Sequence, residues 1–304
     1  MMISPASPRC NFVAVLGAPN AGKSTLVNAC VGTKVSIVSP KVQTTRTRIR
    51  GIAMCGDSQI VFIDTPGIFQ AAKRRLERAM IAAAWAGMVD ADRVLLMVDV
   101  ARGVDENVRT IIERIKNQKL ADVILVLNKI DTVERSQLLA LADDLYQEGV
   151  FGQVFMISAK SGNGVSDLLD HLADTAPEGP WMFPEDDVSD LPQRLLAAEL
   201  TREKVFLHLH EELPYSITVE TEKWEERDDG SVRIDQIIYV MRESQRMIVL
   251  GKGGGKIRSI GSGARKELEA LLERRVHLFL HVVVREEWAD DPARYQPWGL
   301  DYDA

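Results

Sequence analysis

The strongest chemical signal in the sequence is a run that fits GxxxxGK[ST] and lies between a strand pattern and a helix pattern. The glycines let backbone N–H groups turn inward around a phosphate, and the helix N-terminus adds partial positive charge. The lysine can reach the β- and γ-phosphates, and the serine hydroxyl can ligate Mg²⁺. The predicted phosphate-binding residues are Gly17, Ala18, Pro19, Asn20, Ala21, Gly22, Lys23, Ser24 and Thr25.

A second motif, Asp64-Thr65-Pro66-Gly67, follows the predicted strand Gln59–Ile63. A carboxylate at this position can join the coordination shell of Mg²⁺, and the Gly67 amide can meet the γ-phosphate. By itself DxxG is more often a β-turn. Its place at the carboxyl end of a strand matters more, because open α/β sheets bind ligands at that edge. We therefore expect the motif to complete the phosphate site.

Two further motifs predict which base is bound. The acidic residue of Asn-Lys-Ile-Asp can accept hydrogen bonds from guanine N1 and its exocyclic amine, whereas adenine presents an acceptor at N1. The tripeptide Ser-Ala-Lys ends the next strand, where its backbone can touch guanine O6. The order of all four motifs at strand ends is specific to GTP binding, although Ser-Ala-Lys alone means nothing. The predicted residues are Asn128, Lys129, Asp131, Ser158, Ala159 and Lys160.

A different chemistry is indicated near the other end of the chain, where a GxxG loop joins two predicted helices. Glycines at such a turn let the backbone lie close against a nucleic-acid backbone. Positions 244–266 contain six basic residues and no acidic one. This local charge indicates an RNA-binding surface. The predicted RNA-binding residues are Arg246, Gly251, Lys252, Gly253, Gly254, Lys256, Arg258, Arg265 and Lys266.

The elements that must position the nucleotide motifs alternate between short apolar strands and helices over the first 175 residues. Near-continuous apolar strands of this kind indicate a parallel sheet covered on both faces. The closely spaced strands Arg48–Met54 and Gln59–Ile63 are the one expected antiparallel pair. We predict an α/β P-loop domain with a mostly parallel six-stranded sheet, followed by a smaller α+β domain. The strand, helix, GxxG loop and helix of the smaller domain resemble the KH type II class.

The domain boundaries are predicted from a change in composition. Residues 175–192 hold four of the twelve prolines and an acidic cluster, which is typical of a linker. A helix over 192–210, two strands, two helices and a strand at His277–Val284 follow. The expected division is a GTP-binding domain at 1–178, a linker at 179–191 and a KH-type RNA-binding domain with a C-terminal tail at 192–304.

The overall composition restricts the class of protein. Of the 304 residues, 46% are hydrophobic and 27% are charged, which argues against a disordered chain or a coiled coil. No apolar run approaches the roughly 18 residues that a membrane helix needs, and we expect a cytoplasmic protein. The net charge of −7 argues against a general nucleic-acid binder but allows a local basic patch.

Together the four nucleotide motifs resemble those of the small GTPase domain found in proteins related to translation factors. The resemblance implies a switch I threonine that completes the Mg²⁺ shell when the γ-phosphate is present. That residue is expected in Gln43-Thr44-Thr45-Arg46, with Thr45 favoured and Thr44 as the alternative. On this interpretation the catalytic residues are Lys23, Thr45, Gly67 and Asn20.

One position departs from many signalling GTPases. Ile68 follows Gly67 where those proteins place a glutamine that orients the attacking water, and isoleucine cannot hydrogen-bond water. Slow hydrolysis or help from another group is therefore expected. The Asn20 carbonyl can hold a monovalent cation such as K⁺ near the β/γ bridge; a loop-stabilising turn is the equally weighted alternative for this residue.

The complete set of motifs resembles the bacterial Era GTPase family over nearly the whole chain: GAPNAGKS, QTTR, DTPG, NKID and SAK, then FPED, ELPYS and GKGGGK. The resemblance implies a GTP/GDP switch that uses Mg²⁺ and binds the single-stranded 3′ end of small-subunit rRNA during 30S maturation. It also implies loose association with the inner membrane. A monomer is expected.

Two alternative functions remain open at this stage. One is a non-enzymatic RNA chaperone that binds nucleotide without useful turnover, which Ile68 mildly favours and the intact Lys23, Ser24, Thr45 and Asp64 oppose. The other is a membrane-linked signalling GTPase whose C-terminal domain binds protein. The acid-free basic stretch at 244–266 argues against it.

Overall fold

The computed structural model describes residues 7–69, 72, 74–120, 122–209 and 213–304. Two compact units share the chain. The first unit comprises Met1–Val38, Thr45–Asp190 and Tyr295–Ala304, and the second comprises Ser39–Thr44 and Leu191–Arg294. The predicted helix end at His210 lies outside the described residues.

The first unit contains a six-stranded sheet in the order β2-β3-β1-β4-β5-β6. β2 pairs antiparallel with β3, and the other neighbours are parallel, so the predicted fold is confirmed. The strands are rich in Val, Ile and Leu because both sheet faces are covered. They are β1 Arg9–Gly17, β2 Ile49–Cys55, β3 Ser58–Asp64, β4 Arg93–Asp99, β5 Val123–Asn128 and β6 Phe151–Ile157.

In the described part of the first unit, five helices cover this sheet. Alternate strand residues face opposite sides, so Leu95 and Met97 belong to one buried apolar cluster while Leu96 and Val98 belong to the other. The first cluster includes residues of α1 and α5, and the second includes residues of α2, α3 and α4. The helices are α1 Lys23–Val31, α2 Arg75–Val89, α3 Glu106–Asn117, α4 Arg135–Tyr146 and α5 Val165–Asp174.

The second unit has the predicted order of helix, two strands, two helices and strand. Its sheet runs β7-β8-β9, with β7 antiparallel and β9 parallel to β8. Phe206, Ile238 and Ile260 are fully buried in its core. The elements are α6 Gln193–His208, β7 Ile217–Glu226, β8 Val232–Val240, α7 Glu243–Leu250, α8 Gly255–Leu272, β9 Val276–Val284 and a short turn, α9 Pro292–Tyr295.

The division into units differs from the sequence-based boundaries in three segments. Most of the predicted linker belongs to the first unit, where the Gln59 amide exchanges hydrogen bonds with the backbone of Phe183 and Asp190 pairs with Arg50 at 2.8 Å. The tail from Tyr295 also belongs to the first unit, and Ser39–Thr44 belongs to the second. In the described parts of the chain, no helix is long and apolar enough to cross a membrane.

Candidate functional site

The predicted phosphate loop joins β1 to α1. Its two outer glycines have backbone angles that favour glycine, with φ 153° at Gly17 and φ 100° at Gly22. A Cβ atom would lie 2.6 Å from the Met97 carbonyl oxygen at Gly17 and 2.2 Å from Asn128 Nδ2 at Gly22. The first turn of α1 carries no acidic side chain and no side-chain cap. Its N–H groups therefore suit an anion.

Lys23 lies over this loop. Its Nζ donates to the carbonyl oxygens of Gly17 at 3.0 Å and Ala18 at 3.1 Å, and only 6% of the residue is exposed. Burial lowers the pKa of Lys23 to about 8, against the opposing effect of the Asp64 charge. The loop thus holds a poorly hydrated cation in the place where the motif predicts phosphates.

Three oxygen-bearing side chains, those of Ser24, Thr45 and Asp64, lie together next to the phosphate loop. The Ser24 hydroxyl donates to Asp64 Oδ2 at 2.7 Å and lies 2.8 Å from Thr45 Oγ1. Burial raises the pKa of Asp64, although the Ser24 hydrogen bond and the Lys23 charge oppose this. Among the described residues, Asp64 Oδ1 is buried without a hydrogen bond of ordinary geometry, although the nearby Ser36 hydroxyl helps to oppose the rise in the pKa of Asp64. Hydroxyl and carboxylate oxygens with one oxygen unused fit Mg²⁺, a hard cation that prefers oxygen ligands.

The structure distinguishes the two threonines that the sequence left open. The Thr44 hydroxyl donates to the Lys41 carbonyl at 2.6 Å and lies 2.6 Å from Ser39 Oγ, within its own loop. The Thr45 hydroxyl lies beside Ser24 instead. The geometry therefore favours Thr45 as the switch I threonine.

The Asp-Thr-Pro-Gly motif also meets the phosphate loop. Thr65 Oγ1 donates to the Val15 carbonyl at 2.7 Å, which fixes the motif to β1. A Cβ atom at Gly67 would lie 2.9 Å from Pro19 Cα, so the backbone at Gly67 passes directly against the loop. The buried Pro66 lies between these two contacts.

Ile68 and Asn20, the two residues that motivate the expected K⁺ site, lie in different environments. Ile68 is 2% exposed and packs in the apolar cluster with Leu16 and Ala18. The apolar Ile68 side chain is therefore part of the hydrophobic core. Asn20 has φ 65°, in the left-handed region that asparagine tolerates better than most residues.

Asn128 connects the base and phosphate motifs. Its Nδ2 donates to the Ala21 carbonyl at 2.8 Å, and its Oδ1 accepts from the Ala159 N–H at 3.0 Å. The side chain is nearly fully buried, with 2% of the residue exposed. A single amide thus fixes the phosphate loop against the Ser-Ala-Lys segment, and its loss would leave two buried backbone groups unpaired.

Asp131 is exposed beside that segment. A hydrogen bond to Ser158 lowers the pKa of Asp131, so the carboxylate form that accepts hydrogen bonds is favoured. Ser158 is itself fixed, because its N–H donates to the Asn163 carbonyl at 2.9 Å. Lys160 is exposed, whereas Lys129 forms an ion pair with Asp99 at 2.6 Å.

Sequence reasoning missed two residues at this edge, Asp99 and Arg102. Asp99 ends β4 and pairs with Lys129, while Arg102 Nη1 donates to the Pro19 carbonyl at 3.2 Å. Both lie at the carboxyl end of a parallel strand, Asp99 as its last residue and Arg102 in the loop that follows. That topological rule alone could have identified them, since the loop after every such strand meets the same edge.

In the second unit, the GxxG loop is built from residues with positive φ. Gly251, Gly253 and Gly254 have φ 70°, 58° and 72°. A Cβ atom at Gly251 would lie 2.7 Å from Lys256 Cβ, whereas a Cβ at Gly253 meets nothing within 4 Å. The first turn of α8 has no acidic residue and no side-chain cap. The loop therefore presents N–H groups next to basic side chains.

The basic residues are not equivalent. Lys252, Arg258, Arg265 and Lys266 are exposed, and Lys256 is half-buried. Arg246 is paired with Glu243 at 2.8 Å and donates to the Val282 carbonyl at 3.2 Å. The acidic partner lies just outside the stretch that sequence reasoning counted as free of acid, so Arg246 contributes less positive charge than predicted.

A groove of about 350 Å³ runs along α8 and β9 in the same unit. It combines apolar and basic side chains, which suits stacked bases and a phosphate backbone. The lining residues are Ile257, Arg258, Gly261, Ser262, Arg265, Leu278, Phe279 and Leu280.

The comparisons with known proteins agree with this geometry. Residues 12–129 match the family model described as 50S ribosome-binding GTPase, and residues 212–289 match the KH domain model. GTPase Era of Rhizobium meliloti (strain 1021) is 58% identical over 294 residues, which cover 97% of this chain and 93% of the relative. The chain belongs to the GTPase Era family. GTPase Era of Brucella suis biovar 1 (strain 1330) is 57% identical, with 97% and 94% covered.

Solved Era structures have the same fold. A crystal structure of Era in complex with MgGDPNP and nucleotides 1506–1542 of 16S ribosomal RNA matches with a TM-score of 0.91 and 37% identity, covering 96% of this chain and 99% of that one. A point variant of Aquifex aeolicus Era bound to GDP.AlF4⁻ matches with a TM-score of 0.90, 37% identity and the same coverage. The family predicted from the motifs is confirmed.

Proposed function

We propose that this protein is a Mg²⁺-dependent GTPase that binds the single-stranded 3′ end of small-subunit rRNA and assists maturation of the 30S subunit. The meeting of Ser24, Asp64 and Thr45 supports the first half of the proposal, because it joins the phosphate loop, β3 and switch I at one point. The Era relative that carries MgGDPNP and a 16S rRNA fragment supports both halves.

Each group in the nucleotide site has a distinct task. The loop N–H groups and Lys23 bind the phosphates, Asp131 selects guanine, and Asn128 holds these two parts together. When bound, Mg²⁺ neutralises charge on the β- and γ-phosphate oxygens; Ser24, Asp64 and Thr45 would hold it. The expected products are GDP and phosphate.

Intrinsic turnover is expected to be slow. Ile68 stands where many signalling GTPases place the water-orienting glutamine, and its side chain is buried in the core. We propose K⁺ held by Asn20 as the group that supplies positive charge at the β/γ bridge. Turnover measured in K⁺ and in Na⁺ tests this step. Equal rates, or an unchanged K⁺ response in Asn20→Gly, which removes the side-chain oxygen and tolerates φ 65°, would contradict it.

The RNA surface is proposed to be the GxxG loop with the exposed basic residues of α8. The acidic hairpin of the same unit carries Glu222, Glu225, Glu226, Asp228 and Asp229. These charges repel a phosphate backbone, so a short single strand fits this unit better than a long duplex.

The deciding experiment measures binding of an RNA that matches the small-subunit rRNA 3′ tail, with GDP and with a non-hydrolysable GTP analogue. Gly253→Asp adds a negative charge at a position where a side chain has space, and Gly253→Asn provides the same backbone geometry without charge. We expect tight binding with the analogue that Gly253→Asp abolishes and Gly253→Asn largely retains. Binding that ignores both variants would mean that the C-terminal unit recognises something else.

The proposed place of action is the cytoplasm, where 30S subunits are assembled, and the proposed form is a monomer. Peripheral association with the inner membrane stays a prediction. Sedimentation of the purified protein with and without anionic lipid vesicles tests both points.

A further inference from the structure

The tail segment, Tyr295–Ala304, is a structural part of the GTPase unit. Tyr295 is 1% exposed, and Trp298 and Leu300 are each 6% exposed. The segment also has internal order, because the Gly299 N–H donates to the Gln296 carbonyl and the Leu300 N–H donates to the Tyr295 carbonyl, both at 3.0 Å. Burial of three large side chains is more than a loose end of chain would show.

One contact of the tail segment fixes the flank of switch I. The Thr47 hydroxyl donates to the Trp298 carbonyl oxygen, and Thr47 is 5% exposed. Thr47 lies two residues after Thr45, whose hydroxyl meets Ser24. The backbone between Thr45 and Thr47 is therefore held at one end by the proposed metal site and at the other by the tail segment.

A second contact fixes the start of α2, the helix that follows Asp-Thr-Pro-Gly. Arg75 is its first residue, and its Nη1 donates to the Tyr302 carbonyl at 3.0 Å. The guanidinium also lies over the Tyr302 ring, 4.2 Å from the centroid, where a cation–π interaction is favourable. Tyr295 meets the same ring edge-on, with centroids 5.0 Å apart.

We propose that the tail segment positions two segments for GTP hydrolysis, switch I at Thr45 and the Asp-Thr-Pro-Gly motif that precedes α2, through Thr47–Trp298 on one side and Arg75–Tyr302 on the other. The inference rests on the proposed function, because it assigns a role within that same nucleotide site. Thr47 and Arg75 are positioning residues on this account, since they act through Thr45 and through Gly67.

Arg294, the residue before the tail segment, connects this segment to the second unit. Arg294 precedes the tail segment and is anchored in the second unit, where it pairs with Glu220 and its guanidinium lies 4.4 Å from the Tyr239 ring centroid. The peptide bond between Arg294 and Tyr295 thus joins an anchored residue of each unit. The test therefore also compares turnover with and without RNA bound to the second unit.

The test uses two matched pairs in the full-length protein. Thr47→Val removes the hydroxyl at nearly constant volume, and Thr47→Ser retains it. Tyr302→Ala removes the ring over Arg75, and Tyr302→Phe retains it. GTP turnover is measured with and without the rRNA 3′-tail RNA, together with GDP affinity, KM and the thermal midpoint of unfolding.

We expect Thr47→Val and Tyr302→Ala each to lower kcat by about threefold to tenfold, with GDP affinity and KM changed by less than about twofold. Thr47→Ser and Tyr302→Phe should retain the wild-type rate, and any change in turnover that the RNA causes in the wild type should be smaller in the two deficient variants. A lower midpoint of unfolding with an unchanged kcat would reduce the segment to a structural role and overturn the proposal. Unchanged values throughout would overturn it as well.

Failure of the proposed function would look different. In that case the wild-type protein itself would not hydrolyse GTP or would not bind the RNA, so the wild-type measurements separate the two outcomes before any variant is compared.

Discussion

The Ser24 hydroxyl donates to Asp64 Oδ2 at 2.7 Å, which ties the first turn of α1 to the end of β3. The contact leaves Asp64 Oδ1 buried, with no hydrogen bond of ordinary geometry in the described part of the chain and only the Ser36 hydroxyl nearby. An unpaired buried carboxylate oxygen is costly, and a divalent cation would remove that cost. Binding of a cation would therefore explain why a carboxylate occupies a position with no exposed surface.

Asp64→Asn is expected to weaken Mg²⁺-dependent binding more than nucleotide binding itself. The amide keeps the shape and the contact with Ser24 but loses the negative charge that a metal needs. We expect the Mg²⁺ concentration for half-maximal binding of a GTP analogue to rise at least about tenfold. Fluorescent-nucleotide titration at several Mg²⁺ concentrations measures this. GDP affinity in EDTA serves as the control, and an unchanged Mg²⁺ requirement would show that Asp64 lies outside the metal shell.

Lys23 gives the nucleotide site a pH dependence. Burial lowers its pKa to about 8 in the nucleotide-free protein, and bound phosphates raise it again because they favour the charged form. Binding above that pH must therefore take up a proton. We expect GDP affinity to be level below pH 8 and to fall by up to about tenfold per pH unit above it.

Calorimetric or fluorescence titrations between pH 7 and about 8.8 test this expectation, with Lys23→Met as the control. The variant should bind weakly at every pH and lose the proton uptake. A wild-type affinity that rises with pH would reverse the predicted sign.

Asp131→Asn is expected to change base preference. The amide can donate a hydrogen bond to the carbonyl that xanthine carries in place of the guanine amine. We predict weaker GTP binding and stronger xanthosine triphosphate binding, each by at least about tenfold, in line with the loss of a charge-assisted hydrogen bond. Competition between the two nucleotides measures the ratio.

Ser158→Ala is the matched control for this change, because it removes the hydrogen bond that lowers the pKa of Asp131 but leaves the carboxylate in place. It should weaken GTP modestly without admitting xanthosine triphosphate. Unaltered GTP affinity in Asp131→Asn would mean that another group selects the base.

The elements and motifs that could be predicted from the sequence share one property: each is determined by residues close to it in the sequence. The run at Val123–Leu127 is apolar throughout and of strand length, which predicts a buried strand, and the glycine loop between β1 and α1 follows from its own backbone requirements. The place of a motif at a strand end then follows from topology. The same reasoning cannot decide whether Thr44 or Thr45 is the switch I threonine. Their hydroxyls are adjacent in the sequence and differ only in the direction that the folded loop gives them.

Contacts between distant parts of the chain could not be predicted in this way. Thr47 and Trp298 are 251 positions apart, and nothing in either neighbourhood indicates the pair. The Glu243–Arg246 pair is different, since charges three residues apart on a helix are neighbours. That pair was accessible to sequence reasoning, and counting only from Ser244 concealed it.

A buried charge pair in the second unit permits a stability prediction. Arg202 Nε donates to Glu199 Oε1 at 2.8 Å, and the guanidinium also donates to the Thr44 carbonyl. Only 1% of the Arg202 side chain and 8% of the Glu199 side chain are exposed. Arg202→Met leaves a buried carboxylate unpaired and is expected to lower the free energy of unfolding by about 3–5 kcal/mol.

Urea denaturation compares this variant with the double variant Glu199→Gln/Arg202→Met. The double variant removes both charges and should recover most of the lost stability, because a buried pair contributes little beyond avoiding the cost of its unpaired members. Both variants lose the donor to the Thr44 carbonyl, next to Thr45. We therefore expect the double variant to fold well yet show slower GTP turnover than the wild type, by about threefold or more. Equal turnover would show that Arg202 stabilises the second unit without influencing switch I.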